Sequence, residues 1–176
     1  MEKILLHSCC APCSGAILEW MMANGYEPTV YYYNPNIFPE KEYLIRKNEI
    51  TEYAKKLGVP IIDGDWNHDF WREKVKGLED EPERGARCLQ CFRVRLYQTA
   101  KIASEMGFSR FTTTLASSRW KRLDQVAEAG NWAASQFPGV EYWDRNWRKG
   151  GLQDRRGALI RDRKSTRLNS SHESPS

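Results

Sequence analysis

Residues 3–15 read Lys-Ile-Leu-Leu-His-Ser-Cys-Cys-Ala-Pro-Cys-Ser-Gly, and this stretch indicates how the chain folds. The short apolar run over residues 3–7 is typical of a buried strand in a parallel sheet. A turn of small residues follows, and Pro12 suits the first turn of a helix, where its missing N–H would have no partner. A helix over residues 16–24, ended by Gly25, completes a strand–turn–helix unit.

The rest of the chain continues this alternation of strands and helices. Further strands are expected at residues 29–33, 59–62, 110–115 and 140–143, and further helices at residues 40–57, 67–75, 87–106, 123–137 and from 151 to 161. Strands that alternate with helices form βαβ units with right-handed crossovers. The sequence therefore predicts an α/β fold with a mostly parallel sheet of about five strands.

Composition and charge are those of a globular protein. The chain has 176 residues, of which 40% are hydrophobic and 12% aromatic, a length that suits one domain. The net charge of +4 is compatible with a nucleic-acid partner without requiring one. No stretch approaches the roughly 18 apolar residues of a membrane span, and the run over residues 4–6 is too short for a signal peptide. We therefore expect a cytoplasmic protein with no membrane partner.

Five cysteines fall in two short windows of the sequence. Cys9, Cys10 and Cys13 follow the first strand, at the edge of the sheet where parallel α/β folds bind their ligands. Cys88 and Cys91 are spaced i, i+3 at the start of a long helix, so their thiols face the same side. An odd number of cysteines in a cytosolic chain argues against a disulfide framework. The grouping predicts a metal or redox site.

The cysteines alone leave several interpretations open. Four thiolates suit either a zinc ion or an iron–sulfur cluster. Adjacent Cys9 and Cys10 fit poorly to structural zinc sites, where about two to four residues separate the ligands, and the helix N-termini expected beside both windows stabilise an anionic cluster. A redox pair of Cys10 and Cys13 is another interpretation. The last is that all five are buried small hydrophobic residues.

Two cysteine motifs carry a resemblance to a known family. Residues 6–13 read Leu-His-Ser-Cys-Cys-Ala-Pro-Cys and residues 87–96 read Arg-Cys-Leu-Gln-Cys-Phe-Arg-Val-Arg-Leu, and together they resemble the QueH family of epoxyqueuosine reductases. Supporting segments are Tyr32-Tyr-Asn-Pro-Asn-Ile, Glu42-Tyr with Arg46, Asp65-Trp, Thr112-Thr-Thr-Leu, and Lys149-Gly-Gly-Leu-Gln with Arg155 and Arg156. The resemblance covers residues 1 to about 161 and implies a Rossmann-like, three-layer fold.

The same resemblance implies a function. It implies an iron–sulfur oxidoreductase for the last step of queuosine synthesis, the two-electron reduction of an epoxide on a modified base in the anticodon loop of tRNA. The family's ligands for a [4Fe-4S] cluster correspond to four residues here, Cys9, Cys10, Cys88 and Cys91. Cys13 is assigned to one additional iron or to the reaction itself. The expected partners of the monomeric enzyme are tRNA and an electron donor that the sequence does not identify.

Residues near the expected strand ends supply candidates for proton donation and RNA contact. Loss of the epoxide oxygen needs a Lewis acid or a proton donor, and His7 and Asp65 are the candidate donors. Their structural alternatives are a histidine bonded to backbone and a helix cap ahead of Asn67. Residues 119–122 (Arg-Trp-Lys-Arg) and 146–149 (Asn-Trp-Arg-Lys) combine cations with aromatic faces, which favours contact with single-stranded RNA.

Two rival functions use the same elements differently. A nucleotide-activating ATPase of the pyrophosphatase-loop type would need Ser-Gly-Gly-x-Asp-Ser after the first strand, where residues 9–13 read Cys-Cys-Ala-Pro-Cys. The alternative from another class is a structural zinc-binding module that binds RNA without catalysis. The identity of the metal separates this alternative from the reductase.

The C-terminal segment has a composition of its own. Residues 162–172 read Asp-Arg-Lys-Ser-Thr-Arg-Leu-Asn-Ser-Ser-His, which resembles the translation of a widely used sequencing-adapter oligonucleotide. We expect a single reductase domain at residues 1–161, truncated at its C-terminus, and a non-native, disordered tail at residues 162–176. The family usually carries a further Cys-x-Cys near its C-terminus, whereas no cysteine follows Cys91 here. The resemblance thus implies a chain that binds a cluster but turns over slowly.

Overall fold

The computed structural model describes the backbone of residues 1–169 and the side chains of residues 1–162. Its elements are β1 (Glu2–His7), α1 (Ala11–Ala23), β2 (Tyr26–Tyr32), α2 (Glu40–Leu57), β3 (Ile61–Asp63), α3 (His68–Lys74), α4 (Ala86–Met106), β4 (Arg110–Thr113), a 3-10 turn (Thr114–Ser117), α5 (Leu123–Ser135), β5 (Glu141–Tyr142) and α6 (Leu152–Asn169). This order confirms the predicted alternation of strands and helices. No helix in the described part combines the length and apolar character needed to cross a bilayer.

The five strands form one parallel sheet in the order β3-β2-β1-β4-β5. The central strand β1 pairs with β2 on one side and with β4 on the other, so that His7 lies opposite both Tyr31 and Thr113. The chain fills one half of the sheet first and then crosses to the other. The resulting switch point lies at the carboxyl ends of β1 and β4, where doubly wound folds bind ligands. The α/β, Rossmann-like prediction is confirmed.

The core lies between the sheet and its helices. Ile4, Leu5 and Leu6 of β1 are fully buried, as expected for a central parallel strand that is covered on both faces. α1 packs against α2 and α6, whereas α4 packs against α3 and α5. Right-handed crossovers place these two groups of helices on opposite faces of the sheet. The first turns of α1 and α4 therefore both begin at the carboxyl edge.

Helix α1 begins earlier than the sequence predicted, at Ala11 rather than at residue 16, with Cys10 at its N-cap. Residues 12–15 (Pro-Cys-Ser-Gly) are weak helix formers, but tertiary packing overrides this preference. Gly15 shows why, because a Cβ there would lie 2.9 Å from side-chain carbons of Tyr53 and Leu159. The early start puts Cys13 on the first turn of the helix rather than in a loop.

The end of β4 also differs from the prediction. β4 ends at Thr113 and the chain turns into the 3-10 turn, in which the Leu115 N–H donates to Thr113 Oγ1 at 3.1 Å. This turn brings the hydroxyl of Thr114 to the cysteines. The last helix, which was expected to start within residues 151–161, is α6 (Leu152–Asn169). The tail prediction for residues 162–176 falls almost wholly outside the described side chains and stays a prediction.

The close packing of α5 on β5 can be tested at Gly130. A Cβ there would lie 2.6 Å from the ring of Tyr142, and overpacking of this kind costs about 1–3 kcal/mol. We expect Gly130→Ala to lower the free energy of unfolding in urea despite the gain of about 1 kcal/mol in helix propensity. Gly157→Ala is the matched control, since a Cβ there meets only the Arg161 guanidinium, at 3.4 Å; it should stabilise the protein. Two equally stabilised variants would contradict the packing described.

Candidate functional site

Three cysteine side chains meet at the junction of β1 and α1. The thiol of Cys10 is in hydrogen-bonding contact with both Cys9 and Cys13. Thr114 holds the turn, because its hydroxyl accepts from the Cys9 N–H at 3.2 Å and also lies 3.2 Å from the Cys9 sulfur. The hydrogen bond from Cys10, assisted by nearby cations, lowers the pKa of Cys9 to about 5. The first cysteine window is therefore one cluster of thiols.

Helix α6 brings a cation to the third of these thiols. Arg156 Nε donates to the Cys13 sulfur at 3.0 Å. Arg155, its neighbour, fastens α6 to α1 through Glu19, with its Nε 2.8 Å and its Nη2 2.9 Å from the two carboxylate oxygens. The hydrogen bond with Cys10 and the Arg156 guanidinium together lower the pKa of Cys13 to about 7 against the opposing effect of burial. The Cys13 thiol therefore loses its proton more easily than an ordinary cysteine.

The second cysteine pair lies on the first turns of α4, as the i, i+3 spacing predicted. The Cys88 sulfur accepts from the backbone N–H of Arg84 at 3.3 Å. The buried Cys91 sulfur accepts from the indole N–H of Trp71 on α3 at 3.2 Å. Each sulfur is therefore a hydrogen-bond acceptor in the N-terminal part of α4.

Arg95 connects the two cysteine windows. Its side chain is buried, and its Nη1 points to the Cys91 sulfur at 3.8 Å. Its Nη2 donates to Asn34 Oδ1 at 2.8 Å, and Asn34 Nδ2 donates to the carbonyl of Ser8 at 2.8 Å. Ser8 immediately precedes Cys9, whose pKa the Arg95 charge also lowers. One guanidinium thus acts on both windows.

The charge of Arg95 needs a counter-charge in the site. Arg95 is only 4% exposed, and among the side chains that the structure describes no carboxylate accepts a hydrogen bond from it. A buried cation is costly unless an anion compensates it. The neighbouring groups that could carry such a charge are the sulfurs of Cys9 and Cys91. The site is therefore built to carry negative charge on sulfur.

A second cation, Lys121, also lies between the windows. Its charge contributes to lowering the pKa of Cys9. It also lines a narrow cleft together with Cys88, Phe92 and Gln125, and its Nζ lies 5.9 Å from the centre of the Phe92 ring. Lys121 thus lies near Cys9 and Cys88, and Arg95 lies near Cys9 and Cys91. Two cations thus lie between the two predicted halves of one site.

The structure does not itself gather four thiols around one point. Within residues 1–162, no set of three or more His, Cys, Asp or Glu side chains has the arrangement of a metal site. Cys10 contacts Cys9 and Cys13, whereas Cys88 and Cys91 accept hydrogen bonds from Arg84 and Trp71. The two windows meet through Arg95 and Lys121 rather than sulfur to sulfur.

His7, a candidate proton donor, is fully buried at the end of β1. Its Nε2 donates to the carbonyl of Tyr33 at 2.9 Å, so its Nδ1 accepts from the Thr113 hydroxyl at 2.9 Å. Burial lowers the pKa of His7 to about 3. A neutral ring with both nitrogens engaged ties β1 to the ends of β2 and β4, which is the structural alternative for this residue.

Asp65, the other candidate, is exposed in the segment that follows β3. It does not cap α3, because Asn67 does so by accepting the Phe70 N–H at 2.9 Å. The Asp65 carboxylate lies near Tyr33, whose pKa is raised by burial and, secondarily, by this negative charge. Of the two candidates, Asp65 is the one that faces solvent at the carboxyl edge of the sheet.

Two residues at the site had no role in the sequence analysis. Thr114 could have been found, because a hydroxyl that follows a strand at the carboxyl edge is placed to contact the turn after β1. Trp71 had no such signal. Its bond to Cys91 depends on how α3 packs on α4, which the local pattern of either helix does not fix.

Comparison with known proteins finds a family model, described as epoxyqueuosine reductase QueH, that matches residues 4–167. Three similar relatives are each named epoxyqueuosine reductase QueH. The proteins from Histophilus somni and Haemophilus influenzae are each 52% identical over 154 residues, 88% of this chain and 63% of theirs. That from Acinetobacter baylyi is 49% identical over 150 residues, 85% of this chain and 69% of its own. The chain thus spans about two thirds or less of their length.

A solved structure shares the fold. It comes from Methanocaldococcus jannaschii and is described as a predicted subunit of tRNA methyltransferase. It superposes with a TM-score of 0.54 at 13% identity, over 81% of this chain and 66% of that one. At this identity the likeness concerns the α/β architecture alone.

Proposed function

Because this chain belongs to the epoxyqueuosine reductase QueH family, we propose that it reduces epoxyqueuosine to queuosine in tRNA. The substrate epoxide takes up two electrons and two protons, both carbon–oxygen bonds of the ring break, and an alkene and water result. The substrate would be the modified base in the anticodon loop, and the electron donor is a separate partner that remains to be identified. We propose residues 1–161 as the single domain that carries this chemistry.

The observation that carries the proposal is the buried Arg95 guanidinium between the two cysteine windows. A [4Fe-4S] cluster held by Cys9, Cys10, Cys88 and Cys91 fits the all-sulfur donor set and would supply the missing counter-charge. Two helix N-termini and Lys121 add to the stabilisation of an anionic centre. When bound, such a cluster would relay the donor's electrons to the substrate.

The remaining residues have distinct proposed roles. We assign Cys13, with Arg156 on its sulfur, to one additional iron or to the substrate itself, since it is the thiol left over from the cluster. Asp65 is proposed as the proton donor to the departing oxygen, because it is exposed at the edge of the site. His7 is proposed to hold the strand ends and the turn that carries Cys9, because both of its nitrogens are already engaged.

The proposal is tested by the product. Reconstituted protein, reduced chemically under anaerobic conditions, is incubated with tRNA that contains epoxyqueuosine, and the released nucleosides are weighed by mass spectrometry. We expect the modified nucleoside to lose one oxygen atom, and Asp65→Asn to slow this loss by about a hundredfold or more. The longer Haemophilus influenzae protein is the positive control. An unchanged nucleoside, with the control active, would contradict the proposal for this chain.

A further inference from the structure

Trp120 is an unusual surface residue. Its side chain is 63% exposed in the segment between the 3-10 turn and α5. The Arg119 guanidinium lies 5.4 Å from the centre of its ring. Trp120 also lines the narrow cleft that contains Cys88 and Lys121. A large aromatic face is therefore presented to solvent at the rim of the proposed site.

The segment that carries Trp120 is held firmly. Arg148 donates to the carbonyls of Ser118 and Lys121, on either side of the tryptophan. Arg84 Nε donates to the carbonyl of Trp120 itself at 3.0 Å. An exposed aromatic ring on a braced segment does not serve the core, so a binding role accounts for it better than local flexibility does.

Arg84 also connects this segment to the cysteine site. While its side chain holds Trp120, its backbone N–H donates to the Cys88 sulfur at 3.3 Å. Its φ of 68° lies in the left-handed region, which costs a residue with a Cβ about 1 kcal/mol or more. Such strain persists at functional sites where the surroundings enforce it. Arg84 thereby links the backbone of Trp120 to the Cys88 sulfur.

Gln125 supplies an independent indication that the cleft has a ligand. It lines the cleft and is only 8% exposed. Its Nε2 donates to the carbonyls of Arg84 and Gly85, at 2.8 Å and 3.3 Å, but its Oε1 has no hydrogen-bond partner among the described residues. Buried acceptors are rarely left unpaired. A hydrogen-bond donor that enters the cleft would satisfy this one.

We propose that Trp120 is a stacking surface for an unpaired RNA base at the mouth of the cleft, and that Arg84 is the positioning residue that holds this surface beside Cys88. The choice of RNA rests on the proposed function. Arg119 and Lys121 are the cations available to the adjoining phosphates, because Arg122 is paired with Asp124. Stacking on an aromatic face and phosphate contact are the usual means of holding single-stranded RNA.

Trp132 provides a matched control on another face of the molecule. It is 37% exposed, and the Arg93 guanidinium lies 5.5 Å from its ring, nearly as Arg119 lies on Trp120. It packs against Tyr97, which in turn packs against Phe137, and it is not among the residues that line the cleft. A Trp132 variant therefore shows the effect on RNA binding of removing an exposed tryptophan that contacts an arginine. Comparison with a Trp120 variant then shows what is specific to the cleft.

The experiment measures binding of a labelled RNA hairpin that reproduces an anticodon arm, at fixed salt. We expect Trp120→Ala to raise the Kd between about fivefold and a hundredfold, since stacking contributes about 1–3 kcal/mol per base. Trp120→Phe should recover most of this affinity, and Trp132→Ala should change the Kd by less than about twofold. The measurement is repeated with a series of hairpins, each of which lacks one loop base. Wild type and Trp120→Ala should bind with equal affinity to one hairpin of this series, the one that lacks the stacked base.

The outcomes separate this inference from the proposed function. Equal affinity of wild type and Trp120→Ala, an equal loss on every abasic hairpin, or no binding of RNA by wild type overturns the inference. A tryptophan that binds a protein partner instead would give the first of these results. Base-dependent binding through Trp120 without reduction of the epoxide would support the inference while contradicting the proposed function.

Discussion

Cys91→Ala is expected to abolish the cluster, lowering bound iron and sulfide by at least about a hundredfold after reconstitution and desalting. Loss of an outer-shell partner of a metal ligand already costs about 10–100-fold in affinity, and Cys91 is proposed as a ligand itself. The variant also leaves the indole N–H of Trp71 and one hydrogen bond of Arg95 without their acceptor. Iron and sulfide analysis measures the effect, and circular dichroism checks that the variant is folded.

Cys88→Ala provides the same test at a less buried position, where the fold has less to lose. Cys13→Ala is the matched control among the cysteines, since it removes a thiol of the first window that is outside the proposed ligand set. We expect it to retain the cluster and to lose reductase activity. Cluster content that is insensitive to Cys88 and Cys91 but sensitive to Cys13 would show that the proposed ligand set is wrong.

Arg95→Met is expected to lower the free energy of unfolding by about 2–4 kcal/mol and to shorten the lifetime of the bound cluster. Methionine fills much of the buried space but removes the charge and the hydrogen bond to Asn34. Breaking a buried charged interaction by removing one partner costs several kcal/mol, because the remaining polar groups stay buried without compensation. Anaerobic urea denaturation and the decay of absorbance near 400 nm measure the two effects.

Arg93→Met is the control on the same helix. Arg93 pairs with Glu128 at 2.6 Å on the surface, and a surface ion pair contributes at most about 1 kcal/mol. We expect this variant to differ little from wild type in unfolding or in the lifetime of the cluster. If Arg93→Met and Arg95→Met behave alike, the buried guanidinium does not have the role described for it.

Much of the fold could be predicted from the sequence, because apolar strands and helix-ending glycines leave local signals. α2 has the predicted bounds, and Gly58 and Gly107 end α2 and α4 in the left-handed conformation expected of a C-terminal glycine. The start of α1 could not be predicted. Gly15 in its early turns packs against Tyr53 and Leu159, which are far away in the sequence.

The cysteines of the site could be predicted from the sequence, but the hydrogen bonds that connect them to Arg95 and Arg156 could not. The two cysteine windows stand out by spacing, and the parallel fold places both at the same edge of the sheet. Arg95 was visible only as one of several positive charges near Cys88. Its burial, and the hydrogen bonds that link it through Asn34 to Ser8, depend on how α4 packs on the sheet. The same is true of Arg156, which reaches Cys13 from the far end of the chain.

The most direct test of the proposed iron–sulfur cluster is the iron, sulfide and zinc content of wild-type protein purified without oxygen. Two cysteine windows that share Arg95 and Lys121 should together hold one cluster, with about four iron and four sulfide per chain. A brown protein of that composition is the expected result. A colourless protein with about one zinc per chain and no sulfide would show that the chain does not hold the proposed cluster.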